Sequence, residues 1–295
     1  MIKSVEEYLD LLKAELHGSD AATIQDALAD AEEHLRAALA NIREAQPDIP
    51  EEEALNQVIE QYGSPSETAS AYMEVERRTV PQLTRETPKN TSTLGSFFGV
   101  YTDARAWGSL LYMLIAFVTG VFYFTWAITG LSLSVSLSIF IFGLPFALLF
   151  LLSVQGLALL EGRIVEALLG VRMPRRPLFT AKGLKWLERL KLLVLDKHTW
   201  LSILYMIIQF VFGTVYFVVF VTILSFSISF IAIPFVQEIW REGVIMNNDI
   251  RYYMPTWSYP LLILGGVLLW TAFMNIARGL GQLHGRFAKS MLVTD

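Results

Sequence analysis

The sequence predicts an all-α protein. A small soluble helical bundle precedes a four-helix transmembrane domain built from two parallel hairpin repeats, with a short two-stranded β element expected at its outer rim. Three observations lead there. Of 295 residues, 54% are apolar and only 17% charged, against roughly 25% charged in ordinary soluble proteins; the mean hydropathy is +0.45. The charge is unevenly divided: residues 1–78 hold 18 Asp+Glu and 6 Lys+Arg, net −12, whereas residues 79–295 hold 10 and 17, net +7. Four apolar stretches of 20 or more residues, about 107–129, 139–160, 200–222 and 259–279, follow a polar linker over 79–100. Each suffices for ~30 Å of hydrocarbon, and too few charges remain to coat them as buried helices of a soluble protein.

The acidic segment reads as four short helices. Ser4-x-x-Glu7 forms a capping box for a helix over 4–17, with Val5, Leu9, Leu12 and Leu16 on one face. Gly18 ends it. Ile24, Leu28, Ala31, Leu35, Leu39 and Ile42 make a single stripe on a second helix over 20–45. Pro50 opens a third helix, closed by Gly63, and Ser64-Pro65-Ser66-Glu67 caps a fourth. Helices this short need one another to be stable in water, so the expected unit is a bundle over 1–78 with an acidic surface.

The order Tyr8-Leu9-x-x-Leu12-x-x-x-Leu16, then Asp30-x-x-x-His34-Leu35, then Glu52-x-Ala54-x-x-x-Val58-Ile59-x-x-Tyr62-Gly63-Ser64-Pro65 resembles the HAAS domain. That helical signalling domain is found beside helix-turn-helix regulators in bacteria. The resemblance implies a cytoplasmic signalling bundle.

The membrane half repeats itself. Asp103-x-x-x-Trp107-(x4)-Tyr112 aligns with Asp196-x-x-x-Trp200-(x4)-Tyr205, and Phe117, Gly120, Tyr123 and Phe124 align with Phe210, Gly213, Tyr216 and Phe217, all at an offset of 93. Leu160-x-Gly162-Arg163 matches Leu283-x-Gly285-Arg286 at 123, so the second copy carries 30 extra residues near 233–262. Each copy is a hairpin that crosses twice and starts on the same side, hence parallel repeats. The loop 161–199 holds nine Lys/Arg and the insertion 234–257 two. By the positive-inside rule the termini and that loop are cytoplasmic and the insertion is outside. The expected site is a bacterial inner (cytoplasmic) membrane.

Asp103-x-Arg105-x-Trp107, the Gly162-Arg163 to Met173-Pro174 stretch, and Asp196-x-x-x-Trp200-x-x-x-Leu204-Tyr205 resemble the bacterial "putative sensor" multi-pass membrane domain over about 100–292. His198 departs from that pattern, which more often has Pro or a small residue there. The family is known fused to, or beside, histidine kinases and HAAS modules.

Several features could carry function. The alternation Leu131-Ser132-Leu133-Ser134-Val135-Ser136-Leu137-Ser138, and again Leu224 to Phe230, has period two, which predicts paired strands at the outer rim. The insertion predicts an amphipathic interfacial helix through Phe235, Trp240 and Ile245. Glu238, Trp240, Arg241 and Glu242, with Asp249, Arg251, Tyr252 and Tyr253, form the candidate outer sensing surface. Trp107 and Trp200 are expected interface anchors. Arg172, Arg175, Arg176, Lys182, Lys185 and Arg189 form a cytoplasmic basic cluster. It is suited to anionic lipid or, alternatively, to the acidic bundle. Gln155, Gln209 and Asn275 are read as interhelical amides, and Glu161 and Arg278 as snorkelling groups near one membrane face.

The chain has no Cys, and no HExxH, Walker A or GxSxG pattern. No catalytic, metal or cofactor site is therefore expected. The expected function is a non-enzymatic membrane sensor that relays an envelope or lipid condition to a cytoplasmic regulator. The alternative is a membrane-organising or transporter-accessory subunit. Expected partners are membrane lipid and a PadR-type transcription factor, a sensor kinase or another membrane protein, with homo-oligomerisation open. Direct nucleic-acid binding is not expected of so acidic a bundle.

Overall fold

The computed structural model describes residues 2–46, 48–78, 92–140, 143–175, 186–240, 245–247 and 250–293. Lys182 and Lys185, with Arg176, Arg241, Glu242 and Asp249, lie outside these residues.

Four helices form the bundle: α1 (Val5–Glu15), α2 (Ala21–Ala45), α3 (Glu51–Tyr62) and α4 (Pro65–Arg78). The caps are those the sequence dictates. Ser4 Oγ accepts from the Glu7 amide at 3.2 Å, and Asp20 Oδ1 from the Ala22 amide at 2.9 Å. Ser64 and Glu67 cap each other reciprocally, with Glu67 Oε2 accepting from the Ser64 amide at 2.9 Å. Gly18 and Gly63 end α1 and α3 at φ 91° and 109°, where a Cβ is penalised. The core joins Val5, Tyr8, Leu12 and Leu16 to Ala31, Leu35, Leu55 and Val58. On α1 Tyr8 is as fully buried as Leu12, with Leu9 only half-buried. The reason is polar: the Tyr8 hydroxyl donates to Gly63 O and bonds Thr68 Oγ1, both at 3.0 Å, so the ring is buried with its hydroxyl satisfied. His34 stacks on Tyr62 at 4.5 Å, and Tyr72 donates to Asp30.

Four further helices are long and apolar enough to cross a membrane: α6 (Ala104–Leu137), α7 (Gly143–Leu169), α9 (Lys197–Trp240) and α10 (Tyr259–Leu292). Each carries one of the apolar stretches. Val211, Val215 and Val218 on α9 are more than half exposed, a surface that lipid covers and water would not tolerate over such lengths. Shorter helices α5 (Thr93–Phe98) and α8 (Trp186–Leu195) precede α6 and α9, and strands β1 (Ile245–Asn247) and β2 (Ile250–Tyr252) pair antiparallel between α9 and α10.

Two expectations are corrected. The serine-alternating segments are not strands: 131–137 is the last part of α6 and 224–230 lies within α9. A helix satisfies its own backbone where water is absent. The serines join in, with Ser138 Oγ donating to Val135 O at 2.6 Å and Ser227 Oγ to Gly266 O at 2.8 Å. The short β element is instead β1–β2, in the insertion. The second correction is that no separate amphipathic helix runs from Phe235 to Ile245. Residues up to Trp240 continue α9, through Pro234, and Ile245 begins β1.

The chain divides into two compact units, 1–85 with 126–205 and 286–295, and 86–125 with 206–285. The long helices α6, α9 and α10 each contribute to both.

Candidate functional site

The doubled Asp-x-x-x-Trp motif is a helix-starting device used twice. Asp103 Oδ1 accepts from the Arg105 amide at 2.9 Å, and Asp196 Oδ1 from the His198 amide at 3.2 Å, capping α6 and α9. Trp107 Nε1 donates to Tyr101 O at 2.9 Å and Trp200 Nε1 to Val194 O at 2.8 Å, in each case to the carbonyl six residues back. Both indoles are about half exposed, at 50% and 47%.

The repeated tyrosines find different partners. In one unit Tyr112 Oη bonds His284 Nε2 at 2.7 Å and accepts from Gln209 Nε2 at 3.0 Å, while Tyr216 Oη lies 3.2 Å from His284 Nδ1. In the other, Tyr205 donates to Glu161 at 3.0 Å. Glu161 and His284 are themselves equivalent under the 123-residue offset. The pairings are thus the same contact made twice, each joining the first helix of one repeat to the second helix of the other. Glu161 is 1% exposed and bonded, so it does not snorkel. Arg278 pairs with Asp103 at 3.0 Å. Asn275 donates to Phe97 O at 3.1 Å, holding the segment before α6 against α10.

Where α6 and α9 meet, the match is reciprocal again. A Cβ on Gly120 would lie 2.8 Å from Gln209 O, and one on Gly213 would strike Ala116 O. Residues 116 and 209 are related by the same 93 as the two glycines. Phe117 stacks on Phe217 and Phe124 on Phe210, at 4.5 and 4.9 Å, also an exchanged pair.

The acidic bundle meets the segment just after α7. Asp26 Oδ2 accepts from Arg172 Nη2 at 3.0 Å, and Asp26 Oδ1 from the Arg175 amide at 2.6 Å. Glu166 binds both guanidinium groups, at 3.3 Å to Arg172 and 3.6 Å to Arg175. Arg172 also donates to Met173 O at 2.9 Å. Lys289, near the end of α10, pairs with Asp20. On α2 this contact buries Thr23, Gln25 and Asp26, a polar face opposite the core stripe. Hydropathy alone gives no sign of such a face; the only sequence signal was the opposed charge of the bundle and the 161–199 loop. Arg189 lies on α8.

The outer candidates are only partly brought together. Glu238 and Trp240 end α9, Arg251 and Tyr252 lie on β2 opposite Met246 and Ile245, and Tyr253 follows, 54% exposed. What holds this region is Gln237. It is buried, donates to Met254 O at 2.7 Å and to Tyr259 Oη at 2.8 Å, and accepts from the Met254 amide at 2.9 Å. Among the described residues no group of three His, Asp or Glu is placed to hold a metal.

No curated protein and no solved structure matches the chain. One family profile does, that described as "Putative sensor", over residues 112–292. The match runs from the first repeat tyrosine, Tyr112, to the last residue of α10 and takes in more than half of the chain. The protein therefore belongs to the "Putative sensor" family.

Proposed function

We propose that this sensor-family protein is a non-enzymatic membrane receptor that relays an envelope or lipid condition to a cytoplasmic regulator through its HAAS-like N-terminal bundle. The observation that carries the reading is the Asp26 contact: one carboxylate of the bundle held by two arginines that directly follow a membrane-spanning helix. In this reading the termini and the basic segment are cytoplasmic, and the membrane is the bacterial inner membrane. The contact is built on ion pairs, and the longer-range attraction between a bundle of net charge −12 and the basic segment weakens with salt, because screening at ~0.15 M acts beyond ~8 Å. Docked and released bundle would then be the two states that a switch requires. A partner with a basic face, such as a PadR-type regulator or a sensor kinase, would compete with Arg172 and Arg175 for the bundle.

The test is reversal of Arg172, Arg175 and Arg176 to Glu, with transcript profiling of the strain and cross-linking of the bundle. The expected result is a bundle freed from the membrane half and a regulator output locked in one state. A triple variant whose transcripts and cross-links match the parent's would rule out this relay.

A further inference from the structure

Where α7 stops and α9 starts, the protein has an open-sided cavity of about 440 Å³, within the ~300–1,000 Å³ typical of small-molecule sites. Ala158 and Leu159 of α7 and Leu192 and Leu195 of α8 supply an apolar wall. The start of α9 supplies a polar one, with His198 and Ser202. Leu192 and Leu195 are also 42% and 70% exposed, so an apolar chain coming from lipid meets apolar surface all the way in.

The polar wall includes the edge of one imidazole. His198 lines the cavity, and its Nδ1, turned away from the open space, has no hydrogen-bond partner among the described residues; a turn of the ring brings that nitrogen to an occupant. Neighbouring Asp196 is already engaged. Its carboxylate accepts from the His198 amide, the Thr199 amide and Thr199 Oγ1, at 3.2, 3.0 and 2.9 Å. A hydroxyl both donates and accepts, so it satisfies Nδ1 in either tautomer. An anionic head finds no Lys or Arg among the described lining residues, and it finds the Asp196 carboxylate close by.

We propose that this cavity binds a single-chain amphiphile with an uncharged hydroxylic head, of the monoacylglycerol type, with its chain along α7 and α8 and its head on His198. The binding claim stands on the cavity alone. A consequence for signalling rests on the relay proposed above. Gln25, which lines the cavity, directly precedes Asp26, and Met173 and Pro174, which also line it, lie between Arg172 and Arg175. An occupant would therefore touch the residues adjoining each side of the docking contact.

The experiment uses the full chain in phosphatidylcholine nanodiscs and a monolauroylglycerol that carries a diazirine at its chain end. Photolabelling is expected within residues 155–162 and 192–202. Unlabelled monolauroylglycerol should compete about tenfold better than lauric acid, a gap of about 1.4 kcal/mol. Ala158→Trp, which fills the cavity, and His198→Phe, which removes the nitrogen, should each cut labelling severalfold. Labelling that spreads over lipid-facing helices without competition, or that neither substitution changes, overturns the site. Equal competition by lauric acid overturns the uncharged head. The reactivity of Thr23→Cys, measured in the same samples, separates the two claims. Saturable labelling with unchanged reactivity there overturns the coupling and leaves the binding site standing.

Discussion

Tyr112 and Tyr205 hold the same place in two copies of one hairpin, yet one meets a histidine and the other a carboxylic acid. Around them the scaffold is duplicated faithfully: the Asp caps, the indole bonds six residues back, the exchanged glycine contacts and the exchanged phenylalanine stacks. The copies differ where polarity is buried. The His284 copy links two tyrosines and an amide in a chain of hydrogen bonds. In the Glu161 copy the adjoining residue, Gly162, borders the cavity below the bundle, and Glu166 one turn on binds the docking arginines. Duplication supplied the frame, and divergence at one matched position gave the two copies different chemistry.

The comparison breaks most easily at the shared glycines. A Cβ on Gly213 meets backbone that cannot yield. Gly213→Ala is therefore expected to cost about 2–3 kcal/mol in reversible unfolding from mixed micelles, as overpacking does. Gly156, with open space around its Cα, is the control: alanine there should be neutral or stabilise by up to about 1 kcal/mol. Equal losses at both glycines would mean that close approach is not what selects Gly213. The tyrosine contacts come next. Double-mutant cycles of Tyr205→Phe with Glu161→Gln, and of Tyr112→Phe with His284→Ala, should each return a coupling of about 1–2 kcal/mol. A coupling in only one copy would show that the repeat conserves the position without the interaction. The smallest effect lies in the bundle. The Glu6 carboxyl sits below its ordinary 4.5, chiefly through its backbone hydrogen bond, with Arg36 adding. Its contribution is thus complete above that value and is lost as the pH falls through the lowered one. For so exposed a pair this is at most about 0.5 kcal/mol. Amide exchange along α1 should accelerate on acidification, and Glu6→Gln should remove that Glu6-linked part of the acceleration.

Much of this was legible in the residues. Ser4, Asp20, Ser64, Gly18 and Gly63 mark helix ends through chemistry that acts within a few residues, so sequence suffices. The repeat also was legible: its two offsets make 161 equivalent to 284 and 112 equivalent to 205, while the choice of partners across the repeats comes only from the packing of the helices. The serine alternation misled because period two implies a strand only where a strand can pair, and in lipid a helix needs no partner. Tyr8 joins the core beside Leu9, which packs against it, because its hydroxyl has partners on Gly63 and Thr68, which lie 55 and 60 residues away. The docking face of α2 was hidden for a related reason. Thr23, Gln25 and Asp26 read as solvated until a distant arginine pair is placed over them.

Docking of the bundle depends most on that pair, and a charge swap tests it directly. In the Cys-free chain, Thr23→Cys reports exposure of the contact through its rate of modification by a soluble maleimide; Thr23 is 3% exposed. Asp26→Arg and Arg172→Glu should each speed the reaction by about tenfold, the effect of losing about 1.4 kcal/mol. Both together should recover part of the slow rate, because the ion pair is rebuilt with its signs exchanged while the bonds to the Arg175 amide and to Glu166 stay lost. A double variant as reactive as the faster single one, or single variants as slow as the parent, would contradict docking of the bundle through Asp26.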